Sequence, residues 1–152
     1  MIAVIQRVSH GQVTIAGEAV GAVGLGLVVL LAVERDDGET EARWMAAKLA
    51  GLRVFPDATG ERAFDRDVRE AGGGVLLVSN FTVAAACEKG RRPSLDRAAP
   101  PREAEPVFAR LAGLLAAQGV VVETGQFGAD MVVSLANQGP VTLVIRTPGR
   151  SP

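Results

Sequence analysis

Leu27 to Val33 is an unbroken apolar run of strand length, with none of the polar alternation of a half-exposed strand. Such a strand needs cover on both faces, because every second side chain would otherwise meet water. The run therefore predicts a buried central strand, and the rest of the chain must supply its neighbours. Counted from Leu25 and interrupted only by Gly26, the stretch is still far short of the ~20 residues of a membrane helix. At 152 residues, 48% hydrophobic and 22% charged, the chain reads as one soluble globular domain.

Residues 2–8 are rich in strand formers, Val13 and Ile15 alternate with polar neighbours, and Gly17-Glu18 falls where a hairpin turn would lie. A helix is predicted near 39–51, with Thr40 and Glu41 in its first turn and Gly51 as its stop. Leu52 to Phe55 reads as a short strand ended by Pro56. Val75 to Val83, entered through Gly72-Gly73-Gly74, reads as another. A second helix is predicted near 102–118, with Pro101 before it and Gly119 after it. Strands at 120–126, 130–136 and 141–146 follow, and 147–152 reads as a frayed tail. The expected fold is α+β: a single domain over 1–146 with a mostly antiparallel, barrel-like sheet and two main helices.

The chemical inventory is sparse. There is one His, one Cys and no Tyr, and two Lys stand against fourteen Arg. A multi-cysteine zinc site and an internal disulfide each need at least two cysteines, so neither is available. A Ser-His-Asp or Cys-His arrangement would have to use His10, which stands in a polar stretch without a partner motif. Neither metal nor cofactor is expected. Any catalysis should lean on backbone groups, hydroxyls, carboxylates or the substrate itself. A net charge of −1 gives no electrostatic preference for nucleic acid or membrane. Met1 to Val8 shows no basic leader followed by an apolar run, so no secretory signal is expected, and with a single thiol the expected compartment is a reducing cytoplasm.

Among candidate sites, the glycines at 21, 24 and 26 lack dinucleotide-loop spacing and read as hairpin and bulge positions. His10 and Cys87 read as structural or surface residues, and Asp36-Asp37 and Asp65-Arg66-Asp67 as turn and surface charges. Lys89, Arg91 and Arg92 head the one basic concentration, open between a solvated loop and a phosphate contact. Ser79-Asn80-Phe81-Thr82 sets three polar side chains at the end of an apolar strand, where a pocket could open. Asn137-Gln138-Gly139-Pro140-Val141-Thr142, between two apolar strands, has the local pattern of a hairpin turn.

Taken together, these segments resemble the D-aminoacyl-tRNA deacylase family, formerly called D-tyrosyl-tRNA deacylases. The likeness runs from Met1-Ile2-Ala3-Val4-Ile5-Gln6-Arg7-Val8 through Ala71-Gly72-Gly73 and Ser79-Asn80-Phe81-Thr82. It continues in Gly90-Arg91-Arg92-Pro93-Ser94, Ala129-Asp130-Met131 and Gly139-Pro140-Val141-Thr142. The resemblance implies a homodimer that hydrolyses the ester joining a D-amino acid to the terminal adenosine of tRNA, with no membrane or DNA partner. It implies that Gly139 and Pro140, supported by Arg7 and followed by Val141 and Thr142, form a cis peptide that enters the partner's pocket. There their carbonyls would receive the substrate ammonium and exclude an L side chain, so glycyl-tRNA could also pass. Ser79 to Thr82 would frame the reacting ester, with the N–H groups of Phe81 and Thr82 facing a developing oxyanion. A ribose hydroxyl would assist the attacking water, with Thr82 as a positioning residue. Lys89, Arg91 and Arg92 would contact tRNA. The chain departs from the family pattern in four places: Asn80 for Gln, Val83 for Leu, Gln138 for Asp, and Arg62-Ala63-Phe64-Asp65 for a Met-Asn segment. The reading that competes with an enzyme is a non-catalytic homodimeric module holding tRNA through the basic loop.

Overall fold

The computed structural model describes residues 1–149. Six strands and two helices follow in the order β1 (Ile2–Ile15), β2 (Glu18–Val23), β3 (Gly26–Ala32), α1 (Glu39–Gly51), β4 (Gly74–Ser79), α2 (Pro101–Ala116), β5 (Val121–Thr124) and β6 (Val132–Arg146). The strands form one sheet in the order β2-β1-β3-β4-β5, with β6 also paired to β1. Pairings of β1 with β2, β3 and β6 are antiparallel, whereas β3–β4 and β4–β5 are parallel. Because β2 also touches β5, the sheet curls into a nearly closed barrel.

The predicted central strand is β3, and its composition follows from its place. Leu27, Val29, Leu31 and Val33 face the main core, with Met45 and Leu49 of α1 and Phe108, Leu111 and Leu115 of α2. Val28 points the other way, into a second cluster with Val8, Val13, Leu76 and Val78. Both faces are therefore covered and no polar alternation is tolerated. α1 begins at Gly38, whose N–H donates to the Glu41 carboxylate at 2.9 Å. α2 begins with Pro101 at its first position, where a missing N–H leaves no bond unmade.

Three predicted elements come out differently. Leu52 to Phe55 is no strand; only Phe55 pairs, with Arg66, in an isolated bridge. The strand expected over 75–83 stops at Ser79, because the Asn80 side chain caps a 3-10 turn at Phe81–Ala84. Most consequential, Asn137 to Thr142 is not a hairpin. The chain keeps its direction and both flanks pair with the same strand, β1. Thr147, assigned to the tail from sequence, is buried, and its N–H donates to the Met1 carbonyl at 3.1 Å. Residues 150–152 of that tail lie outside the described residues.

Candidate active site

The end of β4 sets the first half of the site. Asn80 N–H donates to the Leu31 carbonyl at 2.8 Å, the last bond before the chain leaves the sheet. The carboxamide of Asn80 then turns back on its own segment. Its Oδ1 accepts from the Thr82 N–H at 3.2 Å and from the Thr82 hydroxyl at 2.5 Å. Both donors of Thr82 are thus committed inside the turn. Of the two N–H groups expected to face an oxyanion, only that of Phe81 has no acceptor among the described residues.

Ser79, Asn80 and Phe81 line a cavity of about 420 Å³. Leu31 and Val33 also line it, with Pro101, Ala104 and Phe108 from α2 and Phe127, Gly128, Ala129 and Met131 from the loop after β5. The Phe108 and Phe127 rings meet at a tilt, with centroids 5.9 Å apart. The cavity is apolar except at the strand end, a common form of small-ligand site. Phe108, buried, and Phe127, half-buried, both line the cavity, and no sequence signal singled out either one.

The second half is a bulge in β6. Asn137 pairs with Val8 and Thr142 with Gln6, so Gln138 to Val141 stand opposite Arg7 alone. Four residues against one force the chain out of the sheet. Gln138, Gly139 and Pro140 are exposed, Gly139 has φ +125°, and the Gly139–Pro140 peptide is cis. Arg7 reaches across the gap: its Nε donates to the Gln138 carbonyl at 3.1 Å and its Nη1 to the Val54 carbonyl at 2.6 Å. Neither Arg7 nor any residue from 137 to 142 lines the cavity beside Ser79. The structure therefore places the two motifs apart within one chain.

The basic segment forms a loop closed by a reciprocal pair of bonds between Ala86 and Ser94, each 2.9 Å. Lys89, Arg91 and Arg92 are exposed near its tip, and no carboxylate among the described residues pairs with them. His10 is exposed and meets only Ser9, at 3.3 Å, and Cys87 is an exposed free thiol. Among the described residues no group of three or more His, Cys, Asp or Glu is placed to hold a metal ion. No described helix is long and apolar enough to cross a membrane.

The domain thus combines a nearly closed mixed sheet, an apolar cavity at one strand end and an exposed bulge in β6. The sequence profile of the D-Tyr-tRNA(Tyr) deacylase family matches residues 4–146. D-aminoacyl-tRNA deacylases of Geobacter sulfurreducens and Geobacter metallireducens are 50% and 49% identical to the chain. The alignments cover 99% and 97% of it, and 98% and 97% of those proteins. That of Symbiobacterium thermophilum is 52% identical over 94% of the chain and 93% of its own length. A solved structure titled c-Myc DNA Unwinding Element Binding Protein superposes with a TM-score of 0.91 at 35% identity, covering 98% of this chain and 100% of that one. A probable eukaryotic D-amino acid tRNA deacylase shares the fold at 16% identity, with a TM-score of 0.80 over 95% and 97% of the two chains. The chain belongs to the D-Tyr-tRNA(Tyr) deacylase family and is an ester hydrolase of that family.

Proposed function

We propose that this enzyme removes D-amino acids from tRNA, and that Gly139–Pro140 is its stereochemical filter. The observation that carries the reading is the bulge itself. It sets Gly139 and Pro140, exposed and with no side chain beyond the proline ring, outside the ladder, and Arg7 holds it from the strand opposite. Carbonyl oxygens suit an α-ammonium, and a backbone wall close to the Cα leaves room for hydrogen on one side only. A D-amino acid then fits whatever its side chain, an L-amino acid does not, and glycine passes.

The terminal adenosine occupies the apolar cavity, which brings the ester to the end of β4. Water attacks the ester carbonyl carbon, and the negative charge that develops on its oxygen meets the uncommitted N–H of Phe81. Collapse breaks the bond to the ribose oxygen, which leaves with a proton. The neighbouring ribose hydroxyl assists that proton movement, since no side chain at Ser79 to Thr82 has a basic partner. Asn80 and Thr82 hold the turn, and Lys89, Arg91 and Arg92 meet the tRNA backbone.

The enzyme works as a homodimer in the cytoplasm, each filter entering the partner's cavity. Two features support the pairing. Arg7 and the bulge do not line the cavity of their own chain, and β6 has an outer edge with Val132 and Val144 each about two-thirds exposed. The deciding experiment offers D- and L-tyrosyl-tRNA at equal concentration. Release of D-tyrosine well above the buffer rate, with L-tyrosine retained, is expected. No release of either overturns the enzyme reading in favour of a tRNA-holding module. A tRNA ending in 2′-deoxyadenosine should turn over poorly, and unchanged turnover would remove the ribose hydroxyl from the mechanism.

A further inference from the structure

We infer that Asn137 is the positioning residue that locks the far side of the Gly139–Pro140 bulge, and that stereochemical discrimination depends on it. The inference rests on the reading of the bulge as the filter. Its structural basis is the way the bulge is closed. Asn137 and Thr142 are the last residues on either flank that pair with β1, and the residues between them have lost their ladder. Arg7 secures the entry side through the Gln138 carbonyl. The exit side is tied by one carboxamide. Asn137 Oδ1 accepts from the Val141 N–H at 2.9 Å, and its Nδ2 donates to the Thr142 hydroxyl at 2.7 Å.

The chemistry of that contact is selective. A backbone N–H can only donate, so the carboxamide oxygen must face Val141 and the nitrogen is thereby turned to Thr142. Thr142 Oγ1 also lies 3.4 Å from Gln6 Nε2, so the same oxygen links the bulge back to β1. A side chain that accepts at one end and donates at the other, over one short fork, closes the neck in a single geometry. Without it, the exit of an exposed four-residue excursion would be fixed only by where the ladder resumes. A wall that excludes an L side chain by contact must hold its place to a fraction of an ångström.

The test compares Asn137→Ala, Asn137→Leu and Thr142→Val with the parent on D- and L-tyrosyl-tRNA, with melting temperature measured for each. Leu keeps the branched shape of Asn at greater bulk and removes both bonds; Val at 142 removes the Asn137 bond to Thr142, and the Gln6 contact with it, and leaves Val141 tied. The ratio of D to L kcat/KM should fall about tenfold in both Asn137 variants, equivalent to about 1.4 kcal/mol. One to two neutral hydrogen bonds contribute about that much. Thr142→Val should give a smaller fall, and adding it to Asn137→Leu should change little. A residue of purely structural importance would lower the melting temperature and both rates together, leaving the ratio unmoved. A folded variant whose ratio stays within about twofold of the parent therefore overturns the inference. If neither Asn137 variant folds, the Thr142→Val ratio decides alone. A parent inactive on D-tyrosyl-tRNA overturns the functional reading beneath it, whereas an active parent with unmoved ratios overturns the role of Asn137 only.

Discussion

Replacing Gly139 by Ala adds one carbon at the tip of the proposed filter, and the structure says what that carbon meets. It would lie 2.8 Å from Arg7 Nη2, 2.9 Å from Val141 Cγ2 and 3.2 Å from the Val141 nitrogen. At φ +125° an L residue is also strained, by about 1–3 kcal/mol. The Arg7 guanidinium can swing away, but doing so gives up its bond to the Gln138 carbonyl. That loss adds about 1 kcal/mol once its exposure to solvent is allowed for. The bulge is thus displaced at a cost of roughly 2–4 kcal/mol, which it can partly relieve by moving, because its tip is exposed. Without that relief, melting should fall by about 4–16 °C, at about 2–4 °C per kcal/mol for a domain of this size. Activity is another matter. Deacylation of D-tyrosyl-tRNA should drop at least about tenfold, and the D-to-L ratio should drop with it, since about 1.4 kcal/mol of misplacement is enough. Initial rates on both tRNAs beside a melting curve make the measurement. A variant that melts lower as calculated yet keeps the parental D-to-L ratio refutes the assignment of the filter.

Other substitutions probe other links in the same chain of reasoning. Gly26→Ala would bring a Cβ to 2.1 Å from the Gly74 carbonyl oxygen on the parallel neighbour. Backbone cannot swing aside, so the loss should exceed about 3 kcal/mol in urea denaturation; a loss under about 1 kcal/mol would contradict this close approach. Thr82→Ala should keep activity within about tenfold of the parent, because the lost hydroxyl donates to Asn80. A fall beyond about a thousandfold would make Thr82 a nucleophile. Reversing Arg91 and Arg92 to Glu should weaken tRNA binding and lower the salt slope by about 0.7–0.9 for each phosphate no longer neutralised; an unchanged slope would mean that the loop meets solvent alone. Asp67 is held below the usual aspartate range, first by the Arg69 guanidinium at 2.7 Å, against the opposing effect of its burial, and then by the N–H groups of Glu70 and Arg69. A depressed carboxyl stabilises the fold above its unfolded value of about 3.9, and that contribution is lost as pH falls through the folded value. Asp67→Asn should therefore be less stable at pH 7 by about 1 kcal/mol, with the gap closing below about pH 4 in chemical denaturation. A gap independent of pH would disconnect the carboxylate from stability.

The regular parts of the fold were legible because their residues report burial directly. Leu27 to Val33 announces a strand covered on both faces, and the two core clusters cover it as expected. Helices α1 and α2 were legible through their turns and terminal residues. Most of the failures share one cause, a partner distant in sequence, whereas the end of β4 is set by a local side chain. Nothing near Leu52 shows that it lacks a strand neighbour. The extent of β4 is set by the reach of the Asn80 side chain, a matter of one methylene. Asn137 to Thr142 has the residues of a hairpin, and only β1, more than a hundred positions away, converts them into a bulge by pairing with both flanks. The roles of Phe108 and Phe127 were hidden for a similar reason, since an aromatic against a cavity and one against a core have the same sequence signature.

The composition agrees with a site placed, as proposed, where the sheet is interrupted. A chain with one His, one Cys and no Tyr lacks the usual nucleophile–base pairs, which agrees with a proposed site that recognises its substrate through the main chain. Main-chain groups inside a ladder are already bonded to their neighbours and cannot serve a substrate. They become free only where pairing is broken. At the end of β4 the break leaves the Phe81 N–H uncommitted, a donor suited to negative charge. At the β6 bulge, Pro140 has no N–H at all, so that break presents mainly carbonyls, which suit positive charge. An aminoacyl ester in the course of hydrolysis carries both signs: an ammonium on the α-carbon and a growing oxyanion on the adjacent carbonyl. The two interruptions are therefore complementary in sign to the two ends of one small substrate. They can act on it together only if something carries the bulge of β6 to the cavity at β4. On the proposed reading a second copy of the chain would do this without any further element, so the dimer and the filter stand or fall together. Mixing a Gly139→Ala variant with a variant impaired at the end of β4 should restore part of the activity if each cavity takes its filter from the partner. Two copies that never exceed the sum of their separate rates would place filter and cavity in one chain, against the separation seen here.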